Sequence, residues 1–334
     1  MSLSKYSNWT TATSTAGWSG RYVHTSVVYD NQIFIMGGLD ISSRFNDVWS
    51  SSDGSSWSLV TGAADWSVRN GHTSVVYDNQ IFIMGGYDGS YIKDVWSSSD
   101  GSSWSLVTSN TDWSVRNIHT SVVYDNQIFI MGGKDGSSRL NDVWSSSDGS
   151  SWSLVTSNAD WSGRYAHTSV VYDNQMFVMG GYDGSYIKDV WSSSDGSSWS
   201  LVTSNAGWSV RNYHTGVVYD NLIFIMGGYD GSSRLNDVWS SSDGSSWSLV
   251  TGSADWSGRN AHTSVVYDNQ IFIMGGHDGS SGFNDVWSME SLSVSDSTSS
   301  FTSKSSSEVK AIGAVWIATH FALVGYAALK YLNN

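Results

Sequence analysis

The chain has 334 residues and a net charge of −14, and its composition is skewed: 14% aromatic with 19 Trp, 34 Gly, and neither Pro nor Cys. Absence of Cys excludes a disulfide framework, thiolate metal ligands and a cysteine nucleophile. With only 16 Lys and Arg against 30 acidic residues, the chain also lacks the clustered cations that neutralise nucleic-acid phosphates.

In chain order, the opening MSLSKYSNWTT has no apolar core of the kind a secretory signal needs. From there one unit recurs. The stretch HTSVVYDNQIFIMGG (72–86) appears six times with small changes, and its glycine doublets at 37–38, 85–86, 132–133, 180–181, 227–228 and 275–276 are spaced by 48, 47, 48, 47 and 48 residues. A period that long and regular signals a repeat array in which neighbouring units share a core. Within each unit VVYD alternates and turns at Asp-Asn. IFIM is a continuous apolar run suited to a strand buried on both faces. NDVWS follows a glycine-rich loop, and SSDGSSW leads through an Asp-Gly turn into SLVT, a hairpin signal.

Four short strands per unit predict the blade of a β-propeller. Residues 8–13, NWTTAT, align with the fourth strand SWSLVT, while the sixth unit lacks a fourth strand of its own. The N-terminal strand is therefore expected to complete the last blade and close the ring, leaving no long open edge. The fold class is all-β, a six-bladed propeller over residues 1–288.

The unit RxxHTSVVYDNQIFIMGG…NDVWSSSDGSSW resembles the kelch repeat in its glycine doublet, its Asp-x-Trp and a second Trp eight residues on. That resemblance implies the propeller fold and leaves function open, since kelch propellers include scaffolds, adhesion proteins, ubiquitin-ligase adaptors and a few enzymes. The family's copper oxidases need a Cys–Tyr cofactor, which a chain without Cys cannot build, and an enzyme is not expected.

Beyond the ring, residues 289–309 are Ser-rich and read as a linker. Residues 310–330 read as a single transmembrane helix, because Ala311 to Leu329 gives 19 residues without formal charge. With residues 331–334 as a short tail, the expectation is a tail-anchored membrane protein with the propeller on the cytoplasmic side. On a helical wheel Ala311, Ala314, Ala318, Ala322 and Gly325 form a small-residue stripe suited to packing against other transmembrane subunits. His320 lies mid-span on the other side, and an ionisable residue inside a membrane is a functional candidate. The segment IATHFALVGY (317–326) is similar to the single-helix antenna polypeptides of purple bacteria. The likeness implies that His320 is an axial ligand for a (bacterio)chlorophyll or haem.

Comparison of the six units locates a candidate binding face. The residue after each glycine doublet varies, as does the pair between Arg and His, and both loops emerge on one face. Tyr87, Tyr91, Lys134, Arg139, Tyr182, Tyr186, Tyr229 and Arg234, with Lys93 and Lys188, are expected there. Tyr and Arg anchor protein interfaces, so the expected role is a protein-binding accessory subunit or scaffold, with a carbohydrate-binding or adhesive propeller as the alternative. The six Arg-x-x-His pairs read as structural, because a catalytic centre is a single asymmetric constellation.

Overall fold

The structure, a computed structural model, describes Tyr6 and residues 8–290. The linker beyond Glu290, the expected span 310–330 with His320 and its small-residue stripe, and residues 331–334 lie outside the described residues.

Six four-stranded antiparallel sheets stand around an axis. Blade 1 is typical: β2 (Thr25–Tyr29) is innermost, followed outward by β3 (Gln32–Met36), β4 (Val48–Ser51) and β5 (Ser58–Thr61). The innermost strands of successive blades contact one another all the way round, including blade 6 against blade 1. Blade 6 takes its outermost strand from the N-terminus: β1 (Trp9–Thr13) pairs antiparallel with Val286–Glu290, Trp9 opposite Met289 and Thr11 opposite Trp287. The ring runs two residues past the expected boundary at 288, since Met289 is fully buried under this closing strand.

Each apolar run occupies the second strand and is buried on both faces, as its lack of alternation implies. Ile81, Ile83 and Met84 are 0% exposed, and each such side chain contributes roughly 1.5–3 kcal/mol by leaving water. Asp30 and Asn31 take φ of 45° and 56°, the left-handed pair that a two-residue hairpin with matching twist requires.

Side chains then tie blade to blade. Tyr29 donates its hydroxyl to the carbonyls of Asn79 (2.8 Å) and Ser99 (2.9 Å) in blade 2, and at the closing seam Tyr267 does the same to Asn31 and Ser52. Phe34 packs over Gly101 in the Asp-Gly turn of the next blade, where an added Cβ would lie 2.6 Å from the ring. Blade 6 has no such turn, and there Tyr6 stands edge-on to Phe224 at 5.3 Å.

The Arg-x-x-His pairs and the glycine doublets form one device. Arg116, 0% exposed, forks onto Asp142 with bonds of 2.8 and 2.7 Å, and also donates to the carbonyls of Gly132 and Ser114. Asp142 accepts a third bond from Trp144 Nε1, which explains the Asp-x-Trp spacing. His167 wedges between blades: a Cβ on Gly132 of the preceding blade would lie 3.0 Å from its Cε1, and one on Gly133 would lie 2.7 Å from the Cβ of His119. With φ of 61° and 93° besides, both positions demand glycine. Trp66 is buried against Trp104 edge-on at 5.9 Å and against His72 at 6.0 Å, so the Trp triplets act in packing.

Candidate functional site

The two variable loops of every blade meet on one face, around the mouth of the axial channel. The residue before each His donates its N–H to the carbonyl of its counterpart in the preceding blade. Gly71 bonds Val23, Ile118 bonds Gly71, Ala166 bonds Ile118, Tyr213 bonds Ala166, Ala261 bonds Tyr213, and Val23 bonds Ala261, at 2.6 to 3.1 Å. This is a closed belt of six backbone hydrogen bonds around the axis. Steps of about 4.8 Å, one interstrand spacing, make a hexagon too narrow for a peptide to thread, so a macromolecular ligand stays on the face. A cavity of roughly 180 Å³ lies on the axis, lined by this belt and by the backbone and side chains that follow it.

All six belt residues have φ between 51° and 64°, a region that costs an L-residue about 1–2 kcal/mol and is least tolerable for a β-branched one. Replacing Val23 by Gly is therefore expected to raise stability by about 1 kcal/mol, read as a higher urea midpoint at unchanged m-value. A lower midpoint would show that the Val23 side chain contributes more than its backbone costs.

Outside the belt, each residue following a glycine doublet bridges the residue preceding the belt position, for example Asn70 with Tyr87 and Asn117 with Lys134. The residue paired with the one after each doublet, at the start of the third strand or a few residues ahead of it, lies against the next blade. These residues run Arg44, Tyr91, Arg139, Tyr186, Arg234 and Gly282 from blade 1 to blade 6. Arg44 lies over the Tyr87 ring at 4.8 Å and Tyr87 meets Tyr91 at 5.1 Å. Lys134 lies over Tyr165 at 5.0 Å, and Arg139 over Tyr182 at 6.0 Å. Tyr182 meets Tyr186 at 5.1 Å, Tyr186 meets Tyr229 at 5.6 Å, and Arg234 lies over Tyr229 at 5.2 Å. Tyr87, Tyr91, Lys134, Arg139, Tyr182, Tyr186, Tyr229 and Arg234 thus form one aromatic–cationic arc over blades 2 to 5, interrupted at Gly282, which packs on Gly20. Only Arg139 among them is classed as exposed; the rest are half-buried and held by neighbours.

Lys93, expected on this face, acts as a strut: its Nζ donates to the Thr111 carbonyl at 2.8 Å, and Thr111 returns a bond to the Lys93 carbonyl. Arg44 and Asn117 were not among the expected site residues, yet both line the mouth.

Burial raises the phenol pKa of Tyr213, Tyr165 and Tyr186, and neighbouring phenols add to it, so these hydroxyls are donors at neutral pH. Burial, followed by Arg234, lowers the pKa of His277. The opposite face differs sharply in charge. The six Asp-Asn turns and five Asp-Gly turns there contain no Lys or Arg, whereas Arg44, Lys134, Arg139 and Arg234 all lie around the mouth. Among the described residues no group of three or more His, Asp or Glu side chains is arranged to hold a metal ion, and no helix is long and apolar enough to cross a membrane.

The repeat geometry and the sequence agree on ancestry. Residues 52–194, and again 146–326, match the KLHDC2/KLHL20/DRC7 Kelch-repeats domain. These matches span well over half of the chain, which belongs to that kelch-repeat family. A search of curated proteins finds no match. Kelch propellers generally mediate protein–protein interaction and the matched family is not a cofactor-binding one.

Proposed function

We propose that this propeller is a non-enzymatic protein-binding subunit whose partner docks on the channel-mouth face, held by the arc from Tyr87 to Arg234. The observation that supports this most is the cation–π and ring-on-ring fixing of that arc. Tyr and Arg side chains already held in place lose little entropy on binding, which is what interface anchors need. A photo-crosslinking residue at position 186 is expected to capture a defined partner from the native source, and one at position 102, in an Asp-Gly turn of the opposite face, is not. Equal capture from both positions would rule the reading out.

The finer reading places the subunit at a membrane. Residues 310–330 serve as a single-pass anchor, the ring lies on the cytoplasmic side, and the stripe of Ala311, Ala314, Ala318, Ala322 and Gly325 packs against other transmembrane subunits of a complex. Support comes from the 19 uncharged residues of 311–329. Resistance of the full chain to alkaline extraction, lost on deleting 311–334, is the expected result. His320 as a chlorophyll or haem ligand predicts a Soret or near-infrared band that His320→Leu abolishes; a colourless protein from native membranes removes that reading.

A further inference from the structure

Seven large apolar side chains are exposed among the described residues, and five of them are one position of the repeat: Leu59, Leu106, Leu154, Leu201 and Leu249. Each lies in the outermost strand of its blade, blades 1 to 5, within the sequence WSLVT. Blade 6, closed by β1, carries the polar Thr11 in that register, opposite Trp287 as Leu59 is opposite Trp49. An outermost strand has a neighbour on one side only, so its other row of N–H and C=O groups is a template for a further strand.

The five edges are not equally open. At blade 2 the carboxylate of Asp65, from the loop that leads into that blade, accepts the Trp104 N–H at 3.1 Å, and at blade 4 Asp160 accepts that of Trp199 at 3.1 Å. Asp112 holds the same place in the repeat beside blade 3. Trp104, Trp152 and Trp199, at the start of these three strands, are buried. A carboxylate set against a strand edge blunts it. Blades 1 and 5 lack that device: Gly17 and Gly207 stand at the position, where an added Cβ would lie 3.7 Å from the Trp57 carbonyl oxygen and 3.3 Å from that of Trp247. Trp57 and Trp247 are accordingly half-buried. Two edges, one on each side of blade 6, thus combine an open strand, an exposed Leu and a partly uncovered Trp, the residue type most enriched at interface hot spots.

Charge decides which partner fits them. The chain carries −14, and two copies repel across either axial face: the turns on one face hold Asp and no cation, and the mouth loops hold Asp40, Asp88, Asp135, Asp183, Asp230 and Asp278. The strands Ser58–Thr61 and Ser248–Thr251 are uncharged and meet a copy without that cost. Antiparallel pairing of a strand with itself follows a two-fold axis, so each edge is self-complementary. We propose that the partner of these edges is a second copy of this chain, Ser58–Thr61 pairing with the same strand of the copy and Ser248–Thr251 likewise. Two such edges per ring join copies side by side into an open chain and leave every mouth face free, so the assembly is independent of what docks there. A four-residue edge with one Leu and one Trp falls well short of the roughly 800 Å² per partner of a standard interface. The association is therefore weak and follows concentration.

Sedimentation velocity of the full chain, from micromolar to millimolar concentration, tests this. The average mass is expected to rise with concentration and to pass that of a dimer. Leu59→Lys alone, or Leu249→Lys alone, should cap the rise at the dimer, because Lys on an edge strand opposes pairing and one edge then remains. The two together should weaken association by about tenfold or more. Gly17→Asp with Gly207→Asp, which gives blades 1 and 5 the carboxylate of blades 2 to 4, should act in the same way without touching the paired strands. An added Cβ at Gly17 lies 2.9 Å from the Trp49 ring, so if that variant fails to fold the exposed Lys substitutions carry the test. Leu154→Lys, on the guarded edge of blade 3, should change nothing. A full chain that stays monomeric throughout, or association that the double Lys substitution leaves unchanged, overturns the proposal. Equal loss with Leu154→Lys overturns its assignment to blades 1 and 5.

Discussion

Between neutral pH and about pH 5 the ring is expected to unfold cooperatively, through its six buried histidines. His72, His167 and His262 are held at pKa values of about 3, and His24, His119 and His214 well below the ordinary value, first by burial and then by the Arg three residues earlier. In the unfolded chain each titrates near 6.5. A folded-state pKa below the unfolded one means that the unfolded state binds more protons. The stability involved is fully present above about pH 6.5 and is lost as the pH falls toward the folded value. The slope is roughly 1.4 kcal/mol per pH unit per group, on the order of 8 kcal/mol per unit for six, against a typical total of 5–15 kcal/mol. Carboxylates do not share this window: Asp53 and Asp148, held at about 2 mainly by turn N–H groups that outweigh burial, give up their contribution only below about pH 4. Urea midpoints measured between pH 7.5 and 4.5 should therefore fall steeply, and His72→Gln should remove one proton from the slope whatever it does to absolute stability. A midpoint that stays level over this range would show that the imidazoles find partners or water on protonation.

The histidines also show where the sequence was informative and where it was not. Their spacing to Arg and to the glycine doublet marked a repeating structural device, because six copies of one contact leave six copies of one pattern. The same redundancy revealed the strand order and the closing strand at Trp9. The belt through Val23, Ile118, Tyr213 and their counterparts left no such trace. Left-handed backbone normally announces itself as Gly or Asn, and here it is imposed on Val, Ile, Ala and Tyr by hydrogen bonds to neighbouring blades. Lys93, named from the sequence, and Arg44, which was not, differ for one reason: the bonds a loop cation makes depend on which carbonyl or amide its neighbours bring beside it. Lys93 finds the Thr111 carbonyl, while Arg44 spends only its Nε on Asn70.

The largest single-residue effect is expected at the buried ion pairs, and it should be lopsided. Arg116 is 0% exposed, whereas the Asp142 side chain keeps 16% of its surface and a bond from Trp144 Nε1. Asp142→Asn therefore strands a guanidinium inside the ring, where an uncompensated charge costs about 3–5 kcal/mol. Arg116→Met leaves a carboxylate that water and Trp144 still reach, and fills the space over the Trp113 ring at 5.7 Å with an apolar chain of similar reach. Its cost should be smaller, about 1–2 kcal/mol for the lost bonds to the Gly132 and Ser114 carbonyls. Arg116→Lys should be worse than Met despite keeping the charge, since one ammonium cannot fork onto both carboxylate oxygens and two carbonyls at once. Urea denaturation of the three variants would check the order, Asp142→Asn lowest, then Arg116→Lys, then Arg116→Met. An Asp142→Asn variant as stable as Arg116→Met would mean that water enters around Arg116, and that the pair's worth lies in aligning the Gly132 turn rather than in neutralising a buried charge.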